Sequence, residues 1–158
     1  MSEASKSSPR GRARQARLDA APVQAVRFGR VRDARAGALL EDYTELIADL
    51  IAAEGEARTV DIAARLGVAH PTASKMIGRL RRAGLAESRP YRGVFLTAEG
   101  AAMAERARAR HRLVVDVLVA LGVPSDAAEA DAEGVEHYVS PATLTAFRAF
   151  LASRKAAS

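Results

Sequence analysis

Glu133, Glu136 and His137 stand at i, i+3 and i+4 in the stretch Asp131-Ala132-Glu133-Gly134-Val135-Glu136-His137-Tyr138. On an α-helix that spacing turns all three side chains to one face. Two carboxylates beside an imidazole form a donor set for a divalent cation, with a solvated acidic face as the plain alternative. Asp42 and Glu45 repeat the i, i+3 carboxylate spacing far upstream, and His111 lies between Arg110 and Arg112. Taken singly, these three read as ordinary surface chemistry. The chain has no cysteine, which excludes disulfides, thiolate metal sites and cysteine nucleophiles and agrees with a reducing cytoplasm.

The elements that must position these groups are mainly helical. Leu39, Leu40, Tyr43, Leu46, Ile47, Leu50 and Ile51 recur at helical spacing from about Ala38 until Gly55, with Glu41, Asp42, Glu45 and Asp49 on the other face. Thr59 can cap a short helix to Leu66. Gly67-Val68 then makes a turn before a second helix near His70-Pro71, the pattern of a helix-turn-helix. In that second helix Ala73, Met76, Ile77 and Leu80 form an apolar stripe, leaving Thr72, Lys75 and Arg79 outward and Ser74 at the margin. Leu85 to Ser88 and Val94 to Thr97 predict two short strands around Arg89-Pro90-Tyr91-Arg92-Gly93, a wing. A long helix from Ala98 to Leu121, one from Ser125 to Val139, and a last one starting at Ser140-Pro141 complete the pattern.

Charge falls in blocks that match this division. Residues 1–35 hold nine Lys/Arg and three acids, 36–57 six acids and no base, and 58–93 eight bases and two acids, within a net charge of +5. The first block has no sustained apolar period and predicts a disordered basic tail. A basic block beside a wholly acidic one suggests a polyanion-binding surface next to a place where something cationic is held. Aromatic residues make up 4% of the chain and Trp is absent, so the core must rest on Ala, Leu, Val and Ile. No run approaches the roughly 18 apolar residues of a membrane span, and the reading is a soluble cytoplasmic protein without a membrane partner.

The order and surroundings of Asp42, Glu45, His111, Glu133, Glu136 and His137 resemble the manganese transport regulators of the diphtheria-toxin-repressor family. Val68-Ala69-His70-Pro71-Thr72, Tyr91-Arg92-Gly93 and Leu96-Thr97-Ala98-Glu99-Gly100 add to the likeness, which runs from about Leu40 to Phe150. Tyr138 departs from it, standing where relatives often carry a second histidine. The resemblance implies that those six residues hold two adjacent ions per subunit. It further implies Mn2+ as the cofactor, with Fe2+ or another divalent transition metal possible, a homodimer, and no organic cofactor. Iron-type relatives place softer methionine and cysteine ligands where this chain has Asp42 and Glu133. The expected architecture is mainly α: a tail over 1–35, a winged helix-turn-helix domain over 36–97 with a β-hairpin wing, a linker helix over 98–122, and a helical metal-binding and dimerisation domain over 123–158.

The expected partner is double-stranded operator DNA, bound when metal is present to repress manganese uptake genes. Pro71 and Thr72 at the start of the recognition helix would reach base edges with His70 at the margin, Ser74, Lys75 and Arg79 would meet phosphates, and Arg92 would serve the wing. Other readings differ in chemistry. A winged-helix sensor of a small organic ligand would need an apolar pocket, and a ferrous-iron sensor would respond to iron below manganese. A dinuclear metallohydrolase would need a separate general base, which the sequence does not offer. A nucleoid-coating protein would ignore chelator.

Overall fold

The structure, a computed structural model, describes residues 20–89 and 92–156. Helix α1 spans Ala21–Glu54, α2 Thr59–Leu66 and α3 His70–Arg82. Strands β1 (Ala86–Ser88) and β2 (Val94–Leu96) pair antiparallel with Ala86 opposite Leu96 and Ser88 opposite Val94. Then come α4 (Ala98–Ala120), α5 (Ser125–Val135), a 3-10 turn over Glu136–Tyr138, and α6 (Pro141–Ala156). The fold is thus mainly helical with one hairpin, as the sequence predicts. Among the described residues no helix is long and apolar enough to cross a membrane.

Three boundaries differ from expectation. Helix α1 begins at Ala21, well before Ala38, with Pro22 in its first turn. The stretch 21–35 is rich in Ala and Arg, residues of high helix propensity, so it extends the helix without an apolar period of its own. That corrects the second half of the expected tail, whose residues 1–19 lie outside the described residues. Arg58 rather than Thr59 occupies the cap position of α2 and gives no side-chain cap. The helix expected to reach Val139 ends at Val135 and tightens into the 3-10 turn, after which Val139 is extended ahead of Ser140-Pro141. Pro90 and Tyr91, at the wing tip, also lie outside the described residues.

The first core gathers one face of α1 with the helix-turn-helix and the hairpin. Tyr43, Ile47 and Leu50 meet Ile62, the predicted stripe Ala73, Met76, Ile77 and Leu80, and Leu85 and Val94. Gly67, at φ 65°, takes the left-handed turn between α2 and α3. Val94 N–H donates to the Ala57 carbonyl at 2.7 Å, fastening the hairpin to the chain after α1. Gly100 makes close packing possible at the start of α4, since a Cβ there would stand 1.9 Å from the Leu85 carbonyl oxygen. Thr97 caps α4 by accepting the Gly100 N–H at 3.1 Å, and its hydroxyl donates to the Gly84 carbonyl at 2.7 Å.

Helix α4 carries this unit into the second half. Ala104 and Ala107 are buried, then Val114 and Val117, with Ala128 and Ala132 of α5 also enclosed. Such small residues let helices approach closely. Helix α4 packs on α1, α5 and α6. Helix α6 buries none of its residues within the protomer, leaving Leu144, Phe147, Phe150 and Leu151 only part-covered.

Candidate metal centre

The side of α1 away from the first core carries Glu41, Asp42 and Glu45 towards α4 and the 3-10 turn. Four elements meet there: α1, α4 with His111, the end of α5 with Glu133, and the turn with Glu136 and His137. Single ligand atoms of His111, Glu133 and Glu136 lie within 4.8 Å of one another. His111 Nδ1 stands 3.2 Å from Glu136 Oε2 and 3.6 Å from Glu133 Oε2. His137 Nε2 stands 3.2 Å from Asp42 Oδ1 and 3.5 Å from Glu136 Oε1.

The geometry alters one expectation. Glu133, Glu136 and His137 do not share a single helical face, because the 3-10 turn swings His137 towards α1 while Glu133 and Glu136 face His111 on α4. Glu136 stands between, with one oxygen towards each histidine. It is 3% exposed, and its Oε2 has no hydrogen-bond partner. A buried carboxylate oxygen left in that condition is costly, and a cation among the three converging groups would satisfy it. The donors are all oxygen and imidazole nitrogen, which suits a hard or borderline divalent ion.

The electrostatics are those of a crowded anionic site. Burial, then the Glu136 charge, push the Glu45 carboxyl up to about 7, with Arg108 opposing and Glu133 and Asp42 adding to the rise. Burial also raises Asp42 and Glu136, against the pull of neighbouring histidines. For His111, burial works downward, but the Glu129 hydrogen bond and the charges of Glu136, Glu133 and Glu129 outweigh it and raise the imidazole.

Glu41, Arg108, Arg110 and Glu129 were not singled out from sequence, yet all serve this cluster. Arg110 grips Glu41 through both terminal nitrogens, one contact at 3.2 Å, and His137 Nδ1 lies 3.0 Å from Glu41 Oε2. Arg108 pairs with Asp49 and donates to the Glu45 carbonyl at 3.4 Å. Their signal was position: Glu41 and Arg110 each precede a predicted ligand by one residue, and Glu129 precedes Glu133 by one helical turn.

On the opposite end, His70, Pro71, Thr72, Ser74, Lys75 and Arg79 are all exposed on α3, and Arg92 is exposed beside the wing. The first turn of α3 has no acid, so nothing there opposes an approaching polyanion. Arg89 and Arg92 stack over the Phe95 ring at 4.6 and 5.3 Å.

Residues 37–94 match the model of the iron dependent repressor N-terminal DNA binding domain, and residues 97–156 match that of the iron dependent repressor metal binding and dimerisation domain. The chain belongs to the iron-dependent repressor family. This repressor-family chain is 55% identical over 123 residues to the transcriptional regulator MntR of Escherichia coli O6:H1, covering 78% of this chain and 79% of the relative. It is 53% identical to the namesake of Salmonella typhimurium, over 78% of each chain. Among solved structures it resembles a manganese-dependent transcriptional repressor in complex with manganese (33% identity, TM-score 0.60, 70% of this chain and 51% of that one). The manganese regulator SloR is similar too (28% identity, TM-score 0.62, 71% and 53%). The repressor-family chain spans about half the length of those two structures.

Proposed function

We propose that this protein is a manganese-responsive, DNA-binding transcriptional repressor of the cytoplasm, acting as a homodimer on manganese uptake genes. The observation that carries this reading is Glu136, buried, with one oxygen towards His111 and the other towards His137. Names of the relatives supply the metal, and the oxygen and nitrogen donors agree with it. His111, Glu133 and Glu136 would hold one ion and Asp42, Glu136 and His137 a second, with Glu45 turned to the same cluster. A bound divalent cation supplies the positive charge that offsets four crowded carboxylates.

The consequence for DNA binding follows from α1. Tyr43, Ile47 and Leu50 anchor this helix in the winged unit, while Asp42 and Glu45 on its other side face the second half. Holding those acids against His111, Glu136 and His137 couples the reading head to the remainder of the chain. In a dimer paired through the part-covered apolar side of α6, this restricts the spacing of the two recognition helices and lowers the cost of docking on both half-sites. In this scheme 36–97 is the DNA-binding unit, 98–122 the connecting helix and 123–158 the metal-binding and pairing unit. Pro71 and Thr72 read base edges beside His70; Ser74, Lys75, Arg79 and Arg92 hold the backbone.

A gel-shift titration with Mn2+ tests the scheme. Glu133→Ala and Asp42→Ala each weaken manganese-dependent operator binding while size-exclusion chromatography still shows a folded dimer. Manganese dependence equal to that of the parent protein in both variants refutes it.

A further inference from the structure

His111 has a neighbour outside the predicted ligand set. Its Nε2 lies 2.8 Å from Glu129 Oε2, on the opposite edge of the ring from Nδ1, which faces Glu133 and Glu136. Glu129 sits one turn before Glu133 on α5, so both carboxylates flank the same imidazole. Glu129 is 61% exposed and the His111 side chain 21%. The Glu136 Oε2 facing Nδ1 accepts no hydrogen bond although only 3.2 Å away. In that arrangement the ring proton belongs on Nε2, where Glu129 takes it, and the Nδ1 lone pair points among the carboxylates.

We propose that Glu129 is a positioning residue for the metal centre, holding His111 in the Nε2–H tautomer and in the ring orientation that presents Nδ1 as a ligand. This rests on the metal-site reading above and adds to it a carboxylate outside the six. A histidine ligand whose second nitrogen donates to a carboxylate is fixed in tautomer and made a stronger base towards a cation, and losing such a partner costs about 10- to 100-fold in affinity. His137 has the equivalent arrangement with Glu41, whose carboxylate is clamped by Arg110. Glu129 instead lies at the solvent edge, so its loss falls at the lower end, about 10-fold. Gln keeps an oxygen that accepts the Nε2–H bond and so retains the tautomer, giving up only the added basicity.

Two readouts test this on the full chain with Mn2+ alone as the probe. Free Mn2+ measured by electron paramagnetic resonance gives affinity. Long-range proton–nitrogen NMR of the chelated protein at pH 8 gives the His111 tautomer. The parent protein shows Nε2–H. Glu129→Ala loses that preference and binds Mn2+ about 10-fold more weakly, whereas Glu129→Gln keeps the tautomer and recovers most of the affinity. Unchanged affinity in Glu129→Ala overturns the proposal, as does weaker binding with the tautomer unmoved, which would make Glu129 a direct ligand or a plain charge. Glu133→Ala runs alongside: if it binds Mn2+ like the parent protein, the metal-site reading itself falls, whereas its failure to bind leaves any negative result specific to Glu129.

Discussion

Glu45→Gln in the metal-free protein probes the crowding of carboxylates most directly. Burial and the Glu136 charge raise the Glu45 carboxyl from 4.5 to about 7. A carboxyl whose folded value lies above its unfolded value contributes stability that is complete below pH 4.5 and is lost as pH rises through about 7. At about 1.36 kcal/mol per tenfold, that interval sets a ceiling of about 3.4 kcal/mol. Solvent reaches part of the Glu45 side chain and screens it, bringing the effect to about 1–2 kcal/mol. Asp42, Glu136 and His111 are raised as well and act in the same direction. Urea unfolding in chelator therefore shows the parent protein losing stability between about pH 5 and 8. Glu45→Gln removes about 1–2 kcal/mol of that loss and is the more stable of the two at pH 8. With Mn2+ present the order reverses, because the parent protein gains more from the cation. An unaltered pH slope in Glu45→Gln, or a parent protein that gains stability towards pH 8 in chelator, refutes the reasoning.

Gly100→Ala forces a Cβ against the Leu85 carbonyl, where 1.9 Å is available, and costs about 2 kcal/mol or more in urea or thermal unfolding; an unchanged midpoint would show that α4 and the wing base can separate freely. Lys75→Ala lowers the slope of log affinity against log salt by about 1 for operator and random DNA alike, leaving sequence preference as before. Relaxed preference at one base position would instead make Lys75 a base reader.

Much of this was legible in the sequence where periodicity and turn chemistry coincide. Ala73, Met76, Ile77 and Leu80 fixed the inner face of α3, and Gly67 and the residues after Gly84 marked the turns around it. The early start of α1 escaped notice because 21–35 pack against little: without a buried stripe, helical propensity is the sole signal, and Arg-rich composition reads equally as a tail. The break after Val135 escaped for a different reason. A hydrophobic and acidic pattern continues smoothly across it, while the kink is a change from α to 3-10 winding over Glu136–Tyr138 that the residue types do not mark. That kink decides which histidine each side of Glu136 meets. Glu41, Arg110 and Glu129 were invisible as a set, since only the fold brings residues so distant in the chain to the same imidazoles.

Helix α1 presents Tyr43 and Ile47 to one packed interior and Asp42 and Glu45 to another environment within two turns. Each residue advances the helix by about 100°, so inserting or deleting one position between Glu45 and Ile47 turns Asp42 and Glu45 out of phase with Ile47 and Leu50. Length variation ought therefore to be well tolerated around Val23 to Val31, where the surface is open, and strongly disfavoured between Leu40 and Leu50. Folding and sensing are geared to the same screw, and a frame slip in that short interval would disengage one from the other.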